Sequence, residues 1–119
     1  MKNITLRGHH LNALNQHYIS GYPLEMIRRD RLVSYNKEHA ERIVKIISDI
    51  LANKTTVTFT DALDDICSTC PKHAPDCEAS HISLFDQHYL QYYHLRKGKQ
   101  YSAGLILSRL KKFGSPFGQ

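Results

Sequence analysis

The sequence predicts an α+β fold: one domain, mostly helical, with a small two-stranded β element and a cysteine-rich loop stapled by a metal ion. Three observations carry this. Apolar residues recur at helical spacing in several segments. Two short stretches, 3–7 and 55–60, alternate in the manner of strands. All three cysteines of the 119-residue chain fall in one twelve-residue stretch, ICSTCPKHAPDC, between the second strand and the next helix.

Length and composition agree with that reading. A chain of 119 residues suits a single domain over 1–119. Hydrophobic residues at 41% and charged residues at 23% are the balance of a soluble globular protein. No run approaches the ~20 apolar residues that a membrane span needs. The N-terminal MKNITLRGHH has neither the apolar core nor the small-residue cleavage site of a secretory signal. The expected location is therefore the cytoplasm, where thiols stay reduced unless they hold metal or do redox chemistry.

The elements follow in order. Residues 3–7 (NITLR) alternate as a short strand. A helix from about Gly8 to Tyr18 ends at Gly21-Tyr22-Pro23. Pro23 is suited to the first position of a second helix, running to about Tyr35 with Leu24, Ile27, Leu32 and Val33 as its apolar residues. In the third, Ala40, Ile43, Val44, Ile46, Ile47, Ile50 and Leu51 make a core stripe opposite Glu41, Arg42, Lys45 and Asp49. Thr55 to Thr60 (TTVTFT) is β-branched and alternating, and its expected partner is the strand at 3–7. A loop with the cysteines follows over about 61–82. A helix from Ser83 to about Leu95 carries Leu84, Phe85, Leu90 and Tyr93, with Gly98 as its stop. Ser102 is placed to cap a last helix to Phe113, and the tail 114–119 is expected to fray.

The cysteine spacing points to a metal. Cys67 and Cys70 form C-x2-C, which lets a tight turn aim two thiolates at one point, and Cys77 lies within reach of it. A redox C-x-x-C sits at a helix start in a βαβ setting, which this loop lacks. Three thiolates leave a tetrahedral site one ligand short. The candidates are His81, at Cys77-x3-His81, His73 inside the loop, and the sequence-distant His9 and His10.

LRGHHL (6–11), DDICSTCP (64–71) and the later Cys77 together resemble domain-of-unknown-function family 1284, a small bacterial and archaeal family with the pattern RGHHLLC, then DDICxxCP, then a further cysteine. The resemblance spans roughly residues 4–110. It implies an iron–sulfur cluster and assigns no activity. This chain departs at one place: it reads RGHHLNA, with Ala13 where the family has a fourth cysteine. If those four cysteines share a site, Ala13 opens a position that His10 or His9, three and four residues earlier on a helix, could fill. Adjacent histidines diverge by about 100° around a helix, so one of them would ligate. A site of three cysteines and one histidine suits zinc, so zinc is the expected metal and an iron–sulfur cluster the alternative.

A structural zinc site is the expected role, since the loop has few apolar residues to fold around. Asp64 and Asp65 are the candidates for bonding backbone N–H groups or a ligating imidazole. Arg7 with the two histidines could also meet an anion at a helix N-terminus. An enzyme is the weaker reading. Three cysteines and a water, with Glu78 or Asp65 as base, would be deaminase-like, but there is no H-x-E, and the proline follows the C-x-x-C rather than preceding it. G-x-S-x-G, P-loop and Rossmann patterns are missing too. The formal charge of +5 would help an acidic protein or nucleic-acid partner bind. The cations are scattered, however, with Tyr89, Tyr92 and Tyr93 near Arg96 and Lys97 the one aromatic–basic group.

Overall fold

The sheet is built on the first strand. A computed structural model of the chain describes residues 2–61, 65 and 80–115, the first three of the last range by backbone only. Strand β1 (Lys2–Arg7) runs into a 3-10 turn (Gly8–His10) and then α1 (Leu11–Tyr18), α2 (Leu24–Ser34) and α3 (Lys37–Leu51). The chain returns as β2 (Thr55–Thr60) and continues, past the cysteine segment, as α4 (Ser80–Tyr92), β3 (Gln100–Ser102) and α5 (Ala103–Phe113). The fold is α+β.

β1 and β2 pair in parallel, from Lys2 opposite Thr55 to Arg7 opposite Thr60. A parallel pair needs a long crossover, and the three helices between the strands supply it. The inward residues, Ile4 and Leu6 on β1 and Val57 and Phe59 on β2, are buried in one core. The sheet has three strands rather than the expected two: β3 pairs antiparallel with β2, placing β2 in the centre. It has three residues with Tyr101 alone buried, too short a run for alternation to announce it. It exists because β2 offers an edge.

α3 starts at Asn36, whose side chain accepts from the His39 N–H at 2.8 Å. It buries Ala40, Ile43, Val44, Ile46, Ile47 and Ile50 against the sheet and α5. α5 starts at Ser102, which accepts from the Leu105 N–H at 3.2 Å, and it buries Ala103, Ile106 and Leu110.

Two helices bury a different face from the one their apolar residues suggest. On α2, Ile27 is buried, whereas Leu32 and Val33 are 50% and 85% exposed. They lie about 140° and 120° around the axis from Ile27, so they cannot share its face. On α4, Leu84 and Phe85 are 63% and 47% exposed, while Asp86, Tyr89, Leu90 and Tyr93 are buried. The centre of the buried face is a carboxylate. α4 also begins at Ser80, earlier than expected, and ends at Tyr92, before Gly98 is reached. Its stop is His94, at φ +56°, followed by a bond from the Leu95 N–H to the Leu90 carbonyl.

The tyrosine group faces inward. Tyr93 is fully buried and donates to the Gly114 carbonyl at 2.6 Å, and Tyr92 donates to the carbonyls of Phe113 and Ser115. These bonds fix the end of α5, so Tyr93 offers no stacking surface for bases. Arg109 of α5 donates to the carbonyls of Tyr93 and His94. No described helix is long and apolar enough to cross a membrane.

Burial, with Tyr92 and Tyr89 adding to it, raises the Tyr93 pKa above its ordinary 10.0. The folded state therefore keeps this proton above pH 10 while the unfolded chain loses it, and stability falls as pH rises further. We expect Tyr93→Phe to cost about 1 kcal/mol at neutral pH through the lost hydrogen bond. Its deficit against wild type should shrink above pH 10, as measured by urea unfolding across pH.

Candidate functional site

The site is organised where β1 ends. After Arg7 the chain turns through Gly8–His10 directly against the backbone of α4. A Cβ on Gly8 would lie 2.8 Å from the Asp86 carbonyl carbon and 3.0 Å from its Cα, distances that real side chains do not tolerate. Gly8 is thus required for close approach, which is one of the two uses of glycine.

That approach brings three donors to one buried carboxylate. Arg7 Nε donates to Asp86 Oδ2 at 2.7 Å, the His9 backbone N–H donates to Oδ1 at 3.0 Å, and His9 Nδ1 lies 2.5 Å from the same Oδ1. Arg7 and Asp86 are 1% and 0% exposed. A buried charge of this kind is tolerated only when paired and hydrogen-bonded, and both conditions are met. Arg7 Nη2 also donates to the Asp61 carbonyl at 3.3 Å. Arg7 is consequently engaged inside the protein, where an external anion would have to displace Asp86.

The contact orients the His9 ring. An ionised carboxylate only accepts, so beside it Nδ1 is the donor, and whenever the ring is neutral Nε2 is the nitrogen with the lone pair. The ring is 30% exposed, and among the described residues Nε2 has no hydrogen-bond partner. His10 lies alongside, with ring centroids 4.3 Å apart and planes tilted by 54°.

Asp65 stands on the same strand's outer edge. Its Oδ2 accepts from the Thr5 N–H at 2.8 Å and its own N–H donates to the Thr5 carbonyl at 3.1 Å. The chain that leads to the cysteines is therefore tied to β1 two residues before Arg7. Asp61 accepts from Gln87 at 3.0 Å and Lys97 at 3.3 Å. Burial pushes its pKa up, but those two bonds, the lysine charge and Ser83 outweigh it and hold the carboxyl below its usual range.

Of the residues singled out in the sequence, the structure brings together Arg7, His9 and His10, and ties Asp65 to Thr5 of the same strand. Cys67, Cys70, Cys77, His73, Glu78 and Asp64 lie outside the described residues, as does the side chain of His81. Among the described residues no group of three His, Cys, Asp or Glu side chains is placed to hold a metal. Ala13 is 1% exposed and belongs to the core. Asp86 was missed by sequence reasoning. Its signal was its phase: it stands four residues before Leu90 and seven before Tyr93, in the middle of the buried stripe.

The donor chemistry fits a zinc ion. The chain offers three thiols in one short segment, and an imidazole whose Nδ1 is bonded to a carboxylate, so that Nε2 is the nitrogen a metal would take. It fits a four-thiolate cluster less well, since three cysteines are all the chain has.

A family model described as "protein of unknown function (DUF1284)" matches residues 34–115, from the end of α2 to the end of α5. No curated protein and no solved structure matches the chain.

Two substitutions check the packing of the site. We expect Gly8→Ala to destabilise by about 3 kcal/mol, at the upper end for overpacking because the clash is with backbone. Asp86→Ala should cost about 3–5 kcal/mol by leaving Arg7 buried and unpaired, and Arg7→Met/Asp86→Leu should recover most of that. Chemical denaturation of the three variants measures both.

Proposed function

The chain belongs to the DUF1284 family, and on that footing we propose that it is a metal-binding protein, with Cys67, Cys70, Cys77 and one imidazole of the Gly8–His10 turn holding a structural zinc ion. The observation that carries this reading is that the flanks of the cysteine segment are tied to β1 and to the histidine-bearing turn that follows it. On one side Asp65 is bonded to Thr5 of β1. On the other, α4 starts at Ser80 and delivers Asp86 to Arg7 and His9. Fourteen residues, 66–79, join these two anchors and include every cysteine of the chain.

A metal supplies what that segment lacks. Its composition is polar and proline-bearing, with Ile66 its only large aliphatic residue. Burial of apolar surface therefore contributes little there, whereas a structural zinc site in a small domain contributes about 10–16 kcal/mol of apparent binding energy. Closed coordination by three thiolates and one imidazole leaves no open position, which agrees with a scaffolding role rather than hydrolysis.

An iron–sulfur cluster is the reading that the family pattern favours, through its fourth cysteine. Ala13 occupies that position here. A cationic interaction module finds less support: Tyr89 and Tyr93 are in the core, and Lys97 is paired with Asp61.

Elemental analysis and the visible spectrum of purified protein test the proposal. We expect one zinc per chain and a colourless preparation. Cys70→Ser should lower zinc content and melting temperature together. Wild-type protein that is brown and carries iron and sulfide would replace the zinc reading with the cluster, and metal content unchanged in Cys70→Ser would remove that thiolate from the ligand set.

A further inference from the structure

We propose that the end of α4, the segment 94–99 and the end of α5 form a surface that binds single-stranded nucleic acid, with Arg96, Lys99 and Lys112 on phosphates and His94 as a stacking platform for a base. The inference goes beyond the metal-binding reading, shares no residue with it and stands without it. Nor does it use the core tyrosines or the Lys97–Asp61 pair discounted above.

Charge divides along the chain. Ten of the sixteen Lys and Arg residues lie in the first 86 positions together with all eleven Asp and Glu, and the other six lie in residues 87–119 with no carboxylate among them. The net charge of +5 therefore belongs to the last part of the sequence. The fold gathers it. Lys99 Nζ lies over the Tyr101 ring at 5.6 Å, and the Tyr101 hydroxyl accepts from the Arg96 N–H at 2.7 Å. Lys112 Nζ lies over the Phe113 ring at 5.4 Å, and the same ring stacks on His94, two residues before Arg96. Arg96, Lys99 and Lys112 are exposed, and among the described residues none of them is paired with a carboxylate.

The C-terminal end of α4 would ordinarily oppose an anion, because its last carbonyls carry partial negative charge. Arg109 offsets this by donating to the carbonyls of Tyr93 and His94 at 3.0 and 2.6 Å. The face is left positive up to the helix end.

His94 marks the stacking position. It stands at φ +56°, where glycine is the low-cost residue after a helix. An exposed imidazole is there instead, stacked on Phe113 with centroids 4.7 Å apart and planes within 18° of parallel. His94 also lines a shallow depression of about 440 Å³ with Gln91, Leu95 and Arg96. Gln91 and Leu95 continue into a second depression of about 370 Å³, bounded also by Leu90. The groove thus joins an aromatic ring, an apolar floor, the exposed amide of Gln91 and flanking cations. An acidic peptide would need the cations alone. Single-stranded nucleic acid uses the whole set, since unpaired bases stack on aromatic rings, present edges to amides and carry a phosphate at every step.

Fluorescence anisotropy with a labelled twelve-nucleotide oligothymidylate tests this on the full chain. Three phosphate contacts to a single strand give a slope of log affinity against log salt of about −2. Arg96→Gln/Lys99→Gln should bring that slope to about −0.7, the value for the one contact left at Lys112. His94→Gly should weaken binding about tenfold with the slope unchanged, and it should fold normally because glycine suits the backbone there. An abasic strand of the same length should bind wild type about tenfold more weakly than the oligothymidylate. Equal binding of the abasic strand, or of polyglutamate of the same charge, would overturn the proposal in favour of a plain cationic surface for an acidic partner. An unchanged slope in the double variant, or no binding at about 50 mM salt, would overturn it outright.

Discussion

One buried carboxylate organises the N-terminal half of the sheet. Asp86, at the centre of the inward face of α4, accepts from Arg7 and twice from His9, and so binds the end of β1 and the turn after it to a helix far along the chain. Replacing such a pair by apolar residues of similar size is often neutral or stabilising. A leucine and a methionine would hold β1 to α4 at least as well. They could not hold an imidazole at one nitrogen and leave the other presented. The ionic solution is therefore better explained by orientation than by stability.

The rest of the fold supplies the rigidity this orientation needs. β1 is an edge strand, and its free edge at Thr5 is taken up by Asp65 rather than left to another strand. Its other edge is secured by six residue pairs with β2, and the inner faces of both strands are packed in the core that α3 covers. At the opposite end of α4, Tyr92 and Tyr93 grip the end of α5 while Arg109 on α5 grips the end of α4. α4 is thus held at its far end by aromatic hydroxyls and in its middle by Arg7. A helix fixed in this way holds Asp86 against the end of β1 and the turn after it.

What the sequence disclosed and what it hid follow from the range of the forces involved. α3 was legible because its stripe is purely local, and the β1–β2 pairing because both strands alternate in sequence. β3 was hidden because three residues become a strand only when β2 is beside them. Leu32, Val33, Leu84 and Phe85 were misplaced because apolar residues were counted without their phase around the helix. Asp86 was hidden for a related reason. A charged residue is read as surface unless its counter-ion is known, and Arg7 lies 79 positions away. The cysteine spacing and the paired histidines were visible as motifs. That Arg7, Gly8 and His9 act together, the arginine pairing with Asp86, the glycine allowing approach and the histidine bonding the same carboxylate, required the helix against which they pack.

The alanine at position 13 bears on the choice of metal. It is buried in the core beside Leu11 and Leu14, so a larger side chain there must find space among packed neighbours. A fourth thiolate at that position would give a four-sulfur set with two net negative charges around a divalent ion. With a histidine in its place, as the zinc reading proposes, the charge would fall to one. An imidazole ligand changes metal preference as well, since borderline zinc accepts nitrogen and sulfur together whereas a cubane held by thiolates loses a corner. The zinc reading therefore rests on the donor set the chain carries, three thiols and no fourth, while the bonds that fix the His9 ring to Asp86 stand as an observation of their own.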